Sequence, residues 1–218
     1  MIDSLPELSL LETRILGTLV EKQRTVPDTY PLSVNALLAG CNQKTSRNPV
    51  IETSEAEILL ALDNLKDYGL VREVSGSRVS RFEHLLEKVL GVPTQASALL
   101  VVLMLRGPQT AGELRLNCER LHRFADISSV EAFLEELAAR SDRPLVVELP
   151  RLPGSRENRW MHLLSGQPTI DSGHGGGKSA AAAGPEIDEL RARVATLEAE
   201  VAELRSLISR ISGQKPAG

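Results

Sequence analysis

Aromatic residues are scarce in this chain of 218 residues, with one Trp, two Tyr and three Phe. The cores must therefore be aliphatic, built from Leu, Val, Ile and Ala. Long apolar runs are missing too, and none approaches the roughly 18 residues a membrane span requires. The opening stretch MIDSLPELSL has neither a basic n-region nor an apolar h-region, so no signal peptide is expected. With only two cysteines and no such signal, reduced thiols and a cytoplasmic location are expected. A basic surplus is lacking as well. The net charge is −4, and residues 1–166 carry 19 basic against 22 acidic side chains, which excludes a global attraction to nucleic acid or an anionic membrane.

Catalytic signatures are equally absent. His84, His122, His162 and His174 are scattered, with no HExxH spacing and no defensible Ser/His/Asp order. The HGGGK stretch lies in a low-complexity tract rather than between a strand and a helix, so it is no phosphate cradle. Cys41 and Cys118 have no His or Cys at ligand spacing, and they read as small buried core residues. No enzymatic activity, cofactor or metal site is expected.

What the chain does contain is one pattern written twice. In the first copy, SLLETRILGTLVEKQ starts with a capping box from Ser9 to Glu12 and carries Ile15, Leu16, Leu19 and Val20 at helical spacing. SVNALLAGCNQ follows as a short helix. A second capping box, Ser54 to Glu57, opens a third helix with Ile58, Leu62 and Leu65 on one face and a stop at Gly69. LVREV and RVSRF then form two strands around a Gly-containing turn. In the second copy TQASALLVVLMLRG, AGELRLNCERLH and VEAFLEELAAR are the helices, opened by Thr110 with Glu113 and by Ser128 with Glu131. PLVVEL and RWMHLL are the strands. Leu37 matches Leu114 and Cys41 matches Cys118 at an offset of 77, Ser54 matches Ser128 at 74, and the first helices match near 84. The first copy thus holds about seven more residues before its second helix, in TVPDTYPL, where a loop tolerates insertion. An internal duplication is the economical account.

The expected fold is mainly α with small β wings (α+β). Two tandem winged helix-turn-helix domains, 1–88 and 89–165, precede a flexible linker, 166–185, and a coiled-coil helix, 186–212. LETRILGTLVEKQRTVPDTYPLSVNALLAGCNQKTSRNPV, followed by LDNLKDYGLV, resembles the YceH-like bacterial proteins, over about residues 5–165. That likeness implies a tandem winged-helix fold and brings no catalytic or ligand-binding residues with it.

In the tail, Ile187, Leu190, Val194, Leu197, Val201, Leu204, Ile208 and Ile211 alternate in steps of three and four, the a and d positions of four heptads. Three of the four layers combine a β-branched a residue with Leu at d, the pairing that favours a parallel two-stranded coil. The g and e' positions pair Glu186 with Arg191, Arg193 with Glu198 and Glu200 with Arg205, each opposite in sign. A homodimer is expected, marginal and dependent on concentration.

Two partners compete for the winged helices. Duplex DNA is suggested by the fold and by Lys44, Arg47, Arg72, Arg78 and Arg81 in and around the first turn and wing, with Arg151, Arg156 and Arg159 on the second. Against it, residues 54–68 carry a net −3 and residues 128–140 a net −2, and carboxylates repel phosphates. A protein-interaction adaptor is the alternative, using the acidic third helices and Leu60, which helical phase places opposite the Ile58/Leu62/Leu65 face.

Overall fold

The computed structural model describes residues 5–74, 79–151 and 154–168, all of which fall within one compact unit. The linker from 169 onward and the heptad tail with its seam residues lie outside the described residues, as do Arg78 and the tip of the first strand turn. What is described is a mixed α/β fold of seven helices and small antiparallel sheets.

Helix α1, Leu10–Thr25, opens on the expected capping box: the Glu12 amide donates to Ser9 Oγ at 3.2 Å, and the Ser9 amide donates to Glu12 Oε2 at 2.7 Å. A 3-10 turn, Pro27–Thr29, leads to β1, Leu32–Ser33, and to α2, Val34–Cys41, capped by Ser33. Helix α3, Glu55–Asp67, opens on the Ser54/Glu57 box as its sequence predicts. It ends before Gly69, whose φ of +71° suits a residue without Cβ. Strands β2, Val71–Val74, and β3, Arg81–His84, follow, then a short α4, Leu86–Leu90, across the boundary expected between residues 88 and 89. The second half repeats the order with α5, Thr94–Arg106, α6, Ala111–Asn117, α7, Ile127–Ala138, β4, Val146–Leu149, and β5, Arg159–His162.

The sheets correspond in their hairpins, three strands in the first half and two in the second. In the first, β3 lies between β1 and β2, with Leu32 opposite Phe82 and Val71 opposite His84. In the second, Val146 stands opposite His162. Gln109 takes the place of β1 and exchanges two backbone hydrogen bonds with Trp160, at 3.1 and 2.7 Å. One expectation needs correcting. Helix α7 is capped by Asp126, whose carboxylate accepts from the Ser129 amide at 2.7 Å, and not by Ser128. Asp caps as well as Ser does, and Ser128 lies inside the first turn. The true offset of the third helices is therefore 72, which aligns Ile58 with Val130, Leu62 with Leu134 and Leu65 with Leu137, all buried.

The two halves share one core. Residues Glu12–Val20 of α1 and Ala96–Leu105 of α5 are buried without a break, as expected of helices enclosed on all sides. They pack directly on each other, close enough that a Cβ on Gly17 would come within 2.9 Å of Leu105. The ends are stapled as well, since the Leu8 amide donates to the Leu164 carbonyl at 2.8 Å and Arg143 to the Leu5 carbonyl at 2.6 Å.

Candidate interaction surface

The segment between α2 and α3, residues 42–53, has no regular structure, yet it is held from several sides. Arg14 projects from α1 with no exposed surface and donates to the Cys41 carbonyl at 3.1 Å, just before the segment, and to the Pro49 carbonyl at 2.6 Å, within it. No carboxylate pairs with it among the described residues. Burial, and then the charge of Arg47, lower its pKa from the ordinary arginine value. Asn42 and Thr53 close the loop by a reciprocal pair of hydrogen bonds, each 2.9 Å. The Asn48 amide donates to the Leu105 carbonyl of α5 at 2.8 Å. Arg106 reaches Ser46 Oγ at 2.8 Å.

Arg47, expected among the phosphate contacts, is not on the surface. Its side chain is buried and donates to both Glu21 oxygens, at 2.6 and 3.3 Å, and to the Gly40 and Ser46 carbonyls. Burial opposes ionisation of Glu21, but the Arg47 hydrogen bonds and charge outweigh it and hold the carboxyl below its ordinary pKa. This arginine packs the turn against α1, because a buried guanidinium is stable only where a carboxylate and carbonyls receive its donors. Lys44, by contrast, is exposed.

The arginines of β2 and β3 are partly committed. Arg72 is ion-paired with Glu83 across the strands. Arg81 donates to the Pro31 carbonyl at 2.7 Å and to the Thr29 carbonyl at 3.3 Å, bracing the turn before β1. In the second half Arg151, Arg156 and Arg159, in and before β5, are exposed.

Helix α3 presents a face of a different kind. Leu60 is 66% exposed and Leu59 43%, among exposed Glu55, Asp63 and Asp67. Its lone lysine, Lys66, lies 2.8 Å from Asp63 and 3.8 Å from Glu73, so it offers no unpaired cation. Helix α7 repeats the theme with Ile127, 45% exposed, and exposed Glu131, Glu135 and Glu136.

Cys41 and Cys118 sit in equivalent buried places. Burial raises their thiols to about 11 and about 12, so neither is poised for chemistry. Among the described residues no cluster of three or more His, Cys, Asp or Glu could hold a metal, and no helix is long and apolar enough to cross a membrane.

Two histidines that look scattered along the chain are structural equivalents. His84 and His162 end β3 and β5, each buried, in the matching tetrads RFEH and RWMH. Those tetrads were the signal available in the sequence. His84 Nε2 lies 2.7 Å from Gln23 Oε1, and its amide donates to the Tyr30 hydroxyl at 2.8 Å. Burial lowers both imidazoles, that of His162 to about 4. Because the folded pKa lies below the unfolded one, stability is full above about pH 6.5 and is lost as the pH falls toward 4. At pH 5 the loss from His162 should be about 2 kcal/mol. Urea titrations of His162→Gln between pH 7 and 5 should show a correspondingly smaller drop than the parent chain, and parallel slopes would reject this account.

The chain matches the family model described as "Protein of unknown function, DUF480" over residues 8–155. It is 83% identical over 208 residues to a UPF0502 protein of Dechloromonas aromatica, covering 95% of this chain and 97% of that one. It belongs to the DUF480/UPF0502 family. A UPF0502 protein of Burkholderia pseudomallei strain 668 is 59% identical over 212 residues, covering 97% of this chain and 90% of the relative. One of Burkholderia multivorans is 61% identical over 213 residues, with the same coverage. The family match takes in α1 through β4, and therefore both the α3 face and the pinned α2–α3 segment. The YceH-like resemblance of the sequence agrees with it.

Proposed function

We propose that each half is a winged helix-turn-helix and that the protein is a non-catalytic interaction adaptor, meeting its partner through the exposed face of α3. One observation carries the reading: Leu59 and Leu60 stand exposed on a helix whose other outward groups are carboxylates and whose lysine is already ion-paired. In a DNA-reading winged helix this position supplies Arg, Lys, Asn or Gln to base edges and phosphates. Here it supplies charges of the wrong sign, while Arg47 is buried and Arg72 is paired. The complementary surface is a protein segment with an apolar residue flanked by Lys or Arg. Burying an exposed leucine at the centre of such a contact contributes about 1–3 kcal/mol, and the flanking charges set orientation and encounter rate.

A photo-crosslinking residue placed at Leu59 of the full chain, in living cells, should yield a defined crosslinked protein. The purified partner should then bind the parent chain at least tenfold more tightly than Leu60→Glu or Asp63→Lys, with circular dichroism of both variants unchanged. No crosslink, or equal affinity for the variants, would overturn the reading.

A further inference from the structure

The fold assembles a second surface, of opposite charge, where the α2–α3 segment of the first half meets the α5–α6 corner of the second. Arg106 joins them: one of its nitrogens donates to Ser46 Oγ and another to Asn117 Oδ1, both at 2.8 Å. Ser46 lies two positions beyond Lys44, and Asn117 lies three before Arg120, so each joined stretch carries an exposed cation close in sequence to the joint. The stretch from Cys118 is turned tightly back, with the Leu121 and His122 amides both donating to the Cys118 carbonyl, at 2.7 and 2.8 Å. Arg115 donates to the Ala125 carbonyl at 3.1 Å, which draws the far end of the turn, with Arg123, against α6.

Arg106 thus ties the stretch that carries Lys44 to the α6 corner that carries Arg115, Arg120 and Arg123. None of the five is ion-paired among the described residues. Glu52, Glu113, Glu119 and Asp126 lie on the same stretches, the last three within residues 106–126, so the five cations face four carboxylates in a chain whose net charge is −4. Lys44, Arg120 and Arg123 are exposed.

We infer that this junction is a nucleic-acid contact surface that binds the phosphate backbone of a duplex without reading its sequence. The chemistry favours phosphate over protein carboxylates. Four of the five cations are arginines, whose planar forks match phosphate oxygens in pairs, and a patch spanning two loops suits a partner with regularly repeated charge. Leu116, 70% exposed on α6, lies beside the patch and separates the possibilities. A phosphate backbone has no use for it, whereas an acidic amphipathic helix would bury it. With the acidic α3 face turned to a protein, this surface would make the molecule a bridge between a partner and nucleic acid.

The test is fluorescence anisotropy of a labelled 25-base-pair duplex of arbitrary sequence with the full-length chain, at several salt concentrations from 50 mM. The parent should bind, with log affinity falling linearly with log salt at a slope of about −3 to −5, the signature of three to five neutralised phosphates. Arg120→Glu/Arg123→Glu should weaken binding at least tenfold and flatten the slope by about 2. Lys44→Glu, on the other loop, should weaken it several-fold. Leu116→Ala should bind like the parent. So should Arg140→Glu, which changes net charge by the same increment as Lys44→Glu at a site already paired with Asp142. Circular dichroism checks that each variant is folded. Four results would each overturn the inference: no binding at 50 mM salt, a loss with Arg140→Glu as large as with Lys44→Glu, abolition by Leu116→Ala, or equal competition from polyglutamate of matched charge. None of these depends on the α3 face, so the two surfaces stand or fall separately.

Discussion

Arg14→Ala should lower the free energy of unfolding by about 4 kcal/mol, the largest effect expected of any single truncation outside the aliphatic core. Two costs add. The buried Cys41 carbonyl loses its donor, which costs about 1–3 kcal/mol, and the Pro49 carbonyl, on an exposed residue, loses a bond that water replaces in part. The side chain has no exposed surface, so its removal also leaves a void that the tightly packed α1 and α2 cannot close. One term works the other way, because the parent protein bears the cost of a buried cation with no carboxylate beside it. Arg14→Met, which fills the volume and removes the charge, should therefore lose only about half as much. Arg14→Lys keeps the charge but cannot reach both carbonyls, and it should fall nearer to the alanine variant. Guanidinium denaturation of the three variants decides the matter, and a loss below about 1 kcal/mol for Arg14→Ala would show that the carbonyls find other donors. Amide exchange across residues 42–49 should quicken in parallel, since Arg14 ties Cys41 to Pro49 across that stretch.

A second large effect is expected where the two halves meet. Gly17 faces Leu105 so closely that an added Cβ would stand 2.9 Å from both Cγ and Cδ2 of that side chain. Both residues are buried, and Leu105 is enclosed by the same core. Gly17→Val, with two further methyl groups, must push α1 from α5 and should cost about 3 kcal/mol. Gly17→Ala should cost less, because the overlap is smaller and alanine is the better helix former by about 1 kcal/mol. Leu105→Ala alone opens a void and also destabilises. Combined with Gly17→Val it should recover at least 1 kcal/mol relative to the sum of the single changes, the mark of residues in direct contact. Strict additivity in thermal or denaturant unfolding would show that the helices part elsewhere.

Much of the fold could be read from residue order. The capping boxes at Ser9, Ser54 and Thr110 open helices where they stand, because a short side chain and a carboxylate three positions on satisfy local donors without help from the rest of the chain. The matched Cys41 and Cys118 and the apolar faces of α3 and α7 follow from spacing in the same way, whereas β3 runs Arg81–His84 and so begins three residues after the expected RVSRF strand. Exposure of Leu60 follows directly from helical phase. The α7 cap lies two residues before the expected one because Ser128 and Glu131 satisfy the same local pattern as Asp126 and Ser129, and the helix begins at the earlier of the two.

The candidate surfaces were legible to different degrees. An acidic α3 is visible as soon as the helix is recognised, since its charges are neighbours in sequence. Arg47 gave no such warning: in the sequence it is one more loop cation, and its burial depends on Glu21, a full helix away. Nor could the basic junction be foreseen, because its cations are spread from Lys44 to Arg123 among acidic residues that cancel them in any running sum.

By itself, then, the order of residues determined the elements and their duplication, because caps, turns and apolar periods act over three or four positions and fold the same way wherever they stand. Tertiary structure alone decided that the two halves share one core along α1 and α5, that Arg14 and Arg47 serve the interior, and that Arg106 joins the α2–α3 segment to α6. Burial and electrostatics depend on distance through space, and that distance exists only once the chain has closed on itself.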